Sequence, residues 1–589
     1  MPLHPAFRSG LAALFLFSTL PAPAADDLKT LVADYERYNL QQDPVTAGQQ
    51  GDAEALKRWP DDSTAADVER RKALADFQKR LDALGSGPLQ GEDALNLAAL
   101  RGQVRRRQES LDFDEARFPF AADDAFFNIP DYVARGTIIR SRADAEAWLA
   151  RLKALPAYYA IETANAQRGL DSGFIQPEPV VEAALKVMRA QAGAPAEQSS
   201  LLLPFASLPE SFSSADGKQL RARALELVSQ GVKPAQRDFL RFLEQTYRPK
   251  ARQTLGIEAV QNGAAYYAYL VRRHTTTAMT PDQVHELGLK EVARIHAEME
   301  QVIAQTGFHG TFQQFQAELR SNPRFYVTTR EALLEKASTL AKHIDGELPK
   351  WFGLLPRLPY GVREVPREIE ESYTSARYWP GSPEQGQAGG YLVNTSHLDQ
   401  RPLYELPALT LHEAVPGHHL QIALAQENKV IPLFRRDDEV TAFVEGWALY
   451  SEKLGIEMGI YRDPYEQFGR LSMEMWRACR LVVDTGIHHQ GWTREQAIAY
   501  MGANTALAQK NIEVEVDRYI GWPGQALGYK IGELKILELR HRAEIALGEK
   551  FDIRRFHDLV LGEGPLPLDI LEQRVDAWIA EQKPAAAKA

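Results

Sequence analysis

The chain of 589 residues contains one cysteine, Cys479. That count excludes an intrachain disulfide and any metal site built from several thiolates. Positive charge is also in deficit: 68 Lys and Arg stand against 79 Asp and Glu, for a formal net charge of −11. Such a balance makes nucleic acid and anionic membranes poor partners, and the short run Arg105-Arg106-Arg107 reads as a solvated helix face. Beyond residue 25 no apolar stretch is long enough to span a bilayer, and no repeat recurs at solenoid periods. What is left is the composition of a globular protein, 44% hydrophobic and 25% charged, long enough to bury a large core.

Residues 1–24 stand apart. Arg8 precedes the apolar stretch Leu11 to Leu20, and Ala22-Pro23-Ala24 fits a small-x-small cleavage site. This is the pattern of a secretory signal peptide, too short in its apolar part to cross a membrane. Its removal takes the net charge from −11 to −12. No cysteine follows it, so no stable membrane anchor is expected, and the mature protein is expected in the periplasm or outside the cell.

Helical periodicity dominates, and the fold class is expected to be mainly α. Thr280-Pro281-Asp282-Gln283 is a helix start with a capping box, and Thr493 with Gln496 makes a second. The first of these helices should run to Gly307. Pro464 to Gln490 reads as one long helix, on which Arg480, Asp484 and His488 recur every four residues as a polar stripe suited to intrahelical pairing or, since the helix otherwise looks core-facing, to a role in a cleft. One small sheet is expected between Leu358 and Thr395, from the alternation Tyr360 to Val365 and the glycine-led run Gly389 to Asn394. Tyr391, Leu392, Val393 and Asn394 are the candidate edge strand for holding an extended peptide by main-chain hydrogen bonds.

The chemistry gathers at Leu411-His412-Glu413-Ala414-Val415-Pro416-Gly417-His418-His419-Leu420-Gln421. An H-E-x-x-H helix places two His on one face, where they bind Zn²⁺, with the Glu beside a water. Here Pro416 occupies the place of the second His. On an ideal helix His418 falls about 120° off the His412 face, and His419 lies on that face but roughly 10 Å further along the axis. Pro-Gly resolves this if the helix is bulged by two residues at Pro416-Gly417, swinging an imidazole back towards His412. Spacing alone leaves His418 and His419 both open. Downstream, Glu445 and Glu452 lie seven residues apart on one face of an apolar helix, where paired carboxylates are costly unless a metal compensates them.

The strings HEAVPGHHLQ (412–421) and EGWALYSEKL (445–454) resemble the signature of a large bacterial family labelled as a domain of unknown function, H-E-x-x-P-G-H-x-x-Q followed by E-G-W-A-x-Y-x-E. Further matches run through 274–292, 389–396, 482–501 and 517–536. That family is similar in layout to helical zinc peptidases with two His and one Glu, such as angiotensin-converting enzyme, thimet oligopeptidase and thermostable carboxypeptidase. The resemblance implies a two-lobed helical metallopeptidase-like fold with a deep cleft. Residues 25–279 would be an N-terminal helical lobe and 280–589 the metal-binding catalytic lobe.

It also implies His412, His418 and Glu445 as ligands of one Zn²⁺, a donor set that accepts Mn²⁺ or Co²⁺ as well. Glu413 would be the general base, and Tyr529 with His488 would stabilise the oxyanion, Tyr519 being the substitute. Glu452, Asp484 and His419 would support the ligands from behind. The expected activity is metal-dependent hydrolysis of short peptides. The alternatives are an amidohydrolase acting on a non-peptide or cell-wall-derived amide, and an exported helical binding protein without catalysis.

Overall fold

The computed structural model describes residues 24–84, 91–121, 125–367, 370, 373–383 and 386–582, with side chains from residue 27. The expected signal peptide lies, but for Ala24, outside the described residues. The fold is mainly α, with one three-stranded sheet among the described residues.

Local signals set the helix starts. Thr280 accepts from the N–H of Gln283, whose side chain returns the bond, and the helix Pro281–Gln305 stops just before Gly307 at φ +72°. Thr493 and Gln496 close the second capping box at the head of the helix Arg494–Asn504. Val284, Ile295 and Met299 are fully buried on one face of Pro281–Gln305. That face packs against the helix Pro464–His488 with no side chain between the backbones at Gly288, where a Cβ would meet Leu481 Cβ at 2.7 Å.

Pro464–His488 is started by Asp463, which accepts from the N–H groups of Tyr465 and Glu466, and it is buried from Phe468 to His488 without interruption. A helix buried all round meets other elements on every face, so its polar groups find partners there as well as within the helix, where Arg470 pairs with Glu474 at 2.7 Å. Arg480, Asp484 and His488 do not pair with one another as their spacing suggested. Arg480 reaches Tyr519 Oη (2.9 Å) and Glu515 (3.1 Å), while Asp484 accepts from Tyr267 Oη at 2.6 Å.

The helices Thr441–Glu457 and Gly528–Leu547 touch backbone to backbone, since a Cβ on Gly532 would lie 1.8 Å from Ala442 O. Glu445 is thereby fixed against the helix that carries Tyr529. Buried apolar side chains on both sides of residue 280 belong to one core, running from Leu28 to Ile579. Buried polar contacts cross the same boundary, as where Gln103 Nε2 donates to Phe434 O at 2.7 Å.

In the sheet, β1 (Tyr360–Glu364) and β2 (Ala376–Trp379) flank β3 (Gly389–Val393), in the order β1-β3-β2. β1 runs parallel to β3 and β2 antiparallel, with Tyr378 opposite Tyr391. The expected edge strand is thus the central one. Tyr391, Leu392 and Val393 are buried with both backbone edges paired, so no peptide can add there.

Candidate metal centre

The helix Leu406–Glu413 ends one residue after His412, and a new helix, His418–Glu427, begins at His418. Between them Ala414–Gly417 make a full break, with a cis Val415-Pro416 bond, in place of the expected bulge. Gly417 N–H donates back to Leu411 O (2.9 Å), His419 N–H to Ala414 O (3.0 Å), and Trp447 Nε1 reaches Pro416 O (2.8 Å). The chain doubles back so tightly that a Cβ on Gly417 would lie 1.9 Å from His412 O.

This turn brings the two imidazoles together edge to face, 4.8 Å between ring centres. Nε2 of His412 and Nε2 of His418 each lie 3.5 Å from Glu445 Oε2. The three ligand atoms all lie within 4.8 Å of one another. Glu445 Oε2 is buried and has no hydrogen-bond donor among the described residues. A buried carboxylate oxygen facing two imidazole nitrogens wants a cation, and two nitrogens with one carboxylate form a donor set that leaves a position open on Zn²⁺. The residues fit the ion. Of the two histidines that spacing left open, His418 joins the cluster.

Glu452 Oε1 sits 2.8 Å from His412 Nδ1 and 3.3 Å from Arg477 Nη2. With Nδ1–H donating to that carboxylate, Nε2 is left with its lone pair towards Glu445 and His418. Burial by itself would lower the His412 pKa, but the Glu445 and Glu452 carboxylates outweigh it and hold the ring up at about 9. Without an ion the two carboxylates thus favour a proton on the ring, which an ion bound at Nε2 would displace. Replacing the orienting carboxylate, Glu452→Gln, is expected to weaken Zn²⁺ binding by about 10- to 100-fold in a chelator-competition titration. Unchanged affinity would remove Glu452 from this role.

Glu413 is buried beside the cluster, and its Oε2 accepts the Tyr378 N–H of β2 at 2.7 Å. The free edge of the sheet next to the site is therefore β2. From this strand Arg377 and Trp379 project outward, while Ala376 and Tyr378 are buried. Desolvation lowers the Arg377 pKa, but Tyr373, Glu413, Tyr529 and Glu445 raise it further, which puts the guanidinium in the field of the site. Burial, and then Glu445, raise the Tyr529 phenol, whose ring lies 4.2 Å below the Arg480 guanidinium.

Several expected site residues are engaged elsewhere. His488 accepts from Ile257 N–H at Nδ1 (3.1 Å) and bonds Tyr519 O through Nε2 (2.9 Å), leaving no nitrogen for an oxyanion. Tyr519 Oη accepts from Trp476 Nε1 and Arg480 Nε, both at 2.9 Å, so the substitute is also committed to packing. Asp484 takes the Gly524 N–H at 3.1 Å besides Tyr267 and touches no ligand histidine; burial raises it to about 7. His419 bonds Tyr378 Oη through Nδ1 (3.0 Å) and packs on Tyr360, bracing the sheet. Tyr391 Oη meets Thr410 Oγ1 at 3.2 Å, and Asn394 Nδ2 donates to Glu370 O at 2.9 Å, both internal ties.

Sequence reasoning missed Arg377 and the Tyr378 N–H. The sequence carries little signal for them: Arg377 stands between Ala376 and Tyr378 ahead of Pro380-Gly381, but the apolar Trp379 breaks the pattern and the alternation shows only in burial.

No curated protein matches the chain. A solved structure described as "the putative lipoprotein from Colwellia psychrerythraea" superposes with a TM-score of 0.89 at 29% identity, covering 95% of this chain and 99% of that one. "A putative lipoprotein of unknown function from Shewanella oneidensis" superposes at 0.70 with 20% identity, covering 94% and 99%, a likeness of fold alone. The family described as "Bacterial protein of unknown function (DUF885)" matches residues 44–575, and the chain belongs to it.

Proposed function

We propose that the protein is an exported, zinc-dependent hydrolase that cleaves short peptides. One observation carries this reading: two imidazole nitrogens and an orphan carboxylate oxygen converge beside a second carboxylate, Glu413, anchored on the free edge of a strand. His412, His418 and Glu445 would hold the ion. When bound, it supplies Lewis acidity for a carbonyl oxygen and eases the loss of a proton from water.

The chain's own groups do the rest. With Oε2 anchored by Tyr378 N–H, Glu413 takes the proton of the attacking water on Oε1 and returns it to the leaving amine. Because Tyr378 turns its N–H away from β3, its carbonyl and the backbone of Ala376 also lie on the free edge. They pair with an extended substrate alongside Glu413. Arg377 and the Tyr529 hydroxyl face negative charge that develops on the scissile carbonyl oxygen. The described relatives named as lipoproteins support an exported, envelope-associated location.

The reading is tested by metal analysis after dialysis and by hydrolysis of a mixed peptide library with and without chelator. About one zinc per chain is expected, with cleavage abolished by the chelator and restored by added zinc. A protein that retains no zinc, or one whose cleavage ignores the chelator, overturns it. Stoichiometric zinc with no peptide cleaved would move the activity to another amide.

A further inference from the structure

A second cavity lies in the N-terminal third. The helices Ala24–Gln42, Thr64–Ala83, Gly91–Phe113 and Arg142–Ser172 contribute to a cavity of about 440 Å³ that shares no residue with the metal centre. That volume is in the range of small-molecule sites. Tyr38, Phe118, Phe126 and Tyr158 give it aromatic walls. Tyr158 is held in place by Trp59, stacked at 5.8 Å, and by Phe126, edge-on at 5.7 Å.

Glu162 lines this cavity four residues after Tyr158 on the same helix, and it is only 3% exposed. Its Oε1 has no hydrogen-bond partner among the described residues, and Oε2 receives a single long bond, from Asn165 Nδ2 at 3.3 Å. The same Asn165 amide donates to the main-chain carbonyl of Asp62 at 2.9 Å, which holds a second acidic lining residue close to the first.

The cations nearby are already engaged. Arg70 bonds Asp67 at 2.8 Å and Asp62 at 3.2 Å. Arg107 lies 5.7 Å over the Tyr35 ring. Asp114 and Glu115, at the far wall, are paired with Arg168 and Arg273. Arg70 offsets the charged form of Glu162 only in part, and among the described residues no cation bonds it directly. An unmet carboxylate oxygen inside a cavity costs stability unless a ligand completes it.

We propose that the cavity binds a compact organic cation, a primary ammonium or guanidinium group, between the Glu162 and Asp62 carboxylates and the faces of the surrounding rings. Aromatic faces attract such cations. Calcium or magnesium would want six or more oxygens in a tight shell, which aromatic walls do not supply. Anions are excluded by the two carboxylates. Burial, and then the charge of Asp62, push Glu162 up to about 8, so a bound cation would draw off its proton.

The test is calorimetric titration of the full chain with n-butylammonium, n-butylguanidinium and neutral 1-butanol, and with a lysine-containing peptide as a separate arm. Saturable binding of both cations is expected, without binding of the alcohol. Glu162→Gln should weaken it by about tenfold or more. Guanidinium affinity should tighten as pH rises through the Glu162 transition, between about pH 6 and pH 9, because the probe itself does not titrate there. Asp61, Asp62, Arg70 and Tyr158 are the other ionisable groups facing Glu162, and Asp62→Asn isolates the largest of their contributions.

A peptide that binds more tightly than butylammonium identifies a basic side chain as the source of the cation; equal affinity identifies a free amine. Glu162→Gln removes an incompletely compensated buried charge, so its melting temperature should equal or exceed that of the parent at pH 8. Should it nonetheless fail to fold, Asp62→Asn carries the same comparison. Equal binding by the parent and the carboxamide variants overturns the proposal, as does binding of the alcohol or displacement of the cations by Ca²⁺.

Discussion

Glu413→Gln is expected to lower kcat by about 10²- to 10⁴-fold while leaving zinc bound. The residue stands next to His412 but is not one of the three converging donors, so the ion loses no ligand. Its Oε2 accepts the Tyr378 N–H at 2.7 Å, and a glutamine carbonyl oxygen accepts the same bond. β2 therefore keeps its place, and with it Arg377 and the free strand edge. What glutamine cannot do is take a proton from water and hand it on. KM should change little, because the strand edge proposed to bind substrate is intact. Glu413→Ala would confuse the result, since it leaves the Tyr378 N–H without a partner beside the site. Turnover and zinc content are measured on the same preparation. Retained turnover would remove Glu413 as the base, and turnover lost together with zinc would make the loss structural.

How much of this was legible beforehand depends on how local the cause is. Thr280 with Gln283 and Thr493 with Gln496 could be read because a capping box is complete within four residues. The H-E pair and a downstream Glu on an apolar helix pointed to the right region, but residue types left His418 and His419 both open, and it was the family resemblance that implied the three groups found converging. The route of the chain between His412 and His418 could not. Pro-Gly announces an interruption, but Trp447 Nε1 on Pro416 O and the return of Gly417 N–H to Leu411 O decide where the chain goes next.

The stripe Arg480, Asp484, His488 failed for a related reason. Spacing shows that the three share a face, but their partners Tyr267, Ile257 and Tyr519 come from distant segments. The edge strand was misread although a cue was present. Gly389 to Val393 does not alternate, as befits a strand covered on both sides. Ala376 to Trp379 alternates in burial rather than in residue type, and its outer edge is the one that meets Glu413.

Gly417→Ala is expected to disable the metal centre by a steric route that involves none of the ligands. A Cβ at 417 would lie 1.9 Å from His412 O and 2.5 Å from Leu411 O. Both are main-chain oxygens at the end of a helix, and neither can rotate aside as a side chain would. Relief requires moving the end of Leu406–Glu413 or the start of His418–Glu427, by about 1.5 Å to reach ordinary van der Waals contact. Either movement stretches the Gly417 N–H bond to Leu411 O and shifts His418 relative to His412.

Metal ligands tolerate displacements of only about 0.2 Å, so zinc affinity should fall by more than 100-fold. Overpacking of this kind costs about 1–3 kcal/mol of stability, which should lower the melting temperature of the metal-free protein as well. Gly502→Ala is the matched control: it adds the same methyl within the helix Arg494–Asn504, where nothing lies within 4 Å. That variant should melt at or above the parent temperature and bind zinc normally. Competition titration with a chromophoric chelator, alongside thermal melts of all three proteins, separates the outcomes. Should Gly417→Ala bind zinc as the parent does, the tight return of the chain would not be what aligns the two imidazoles.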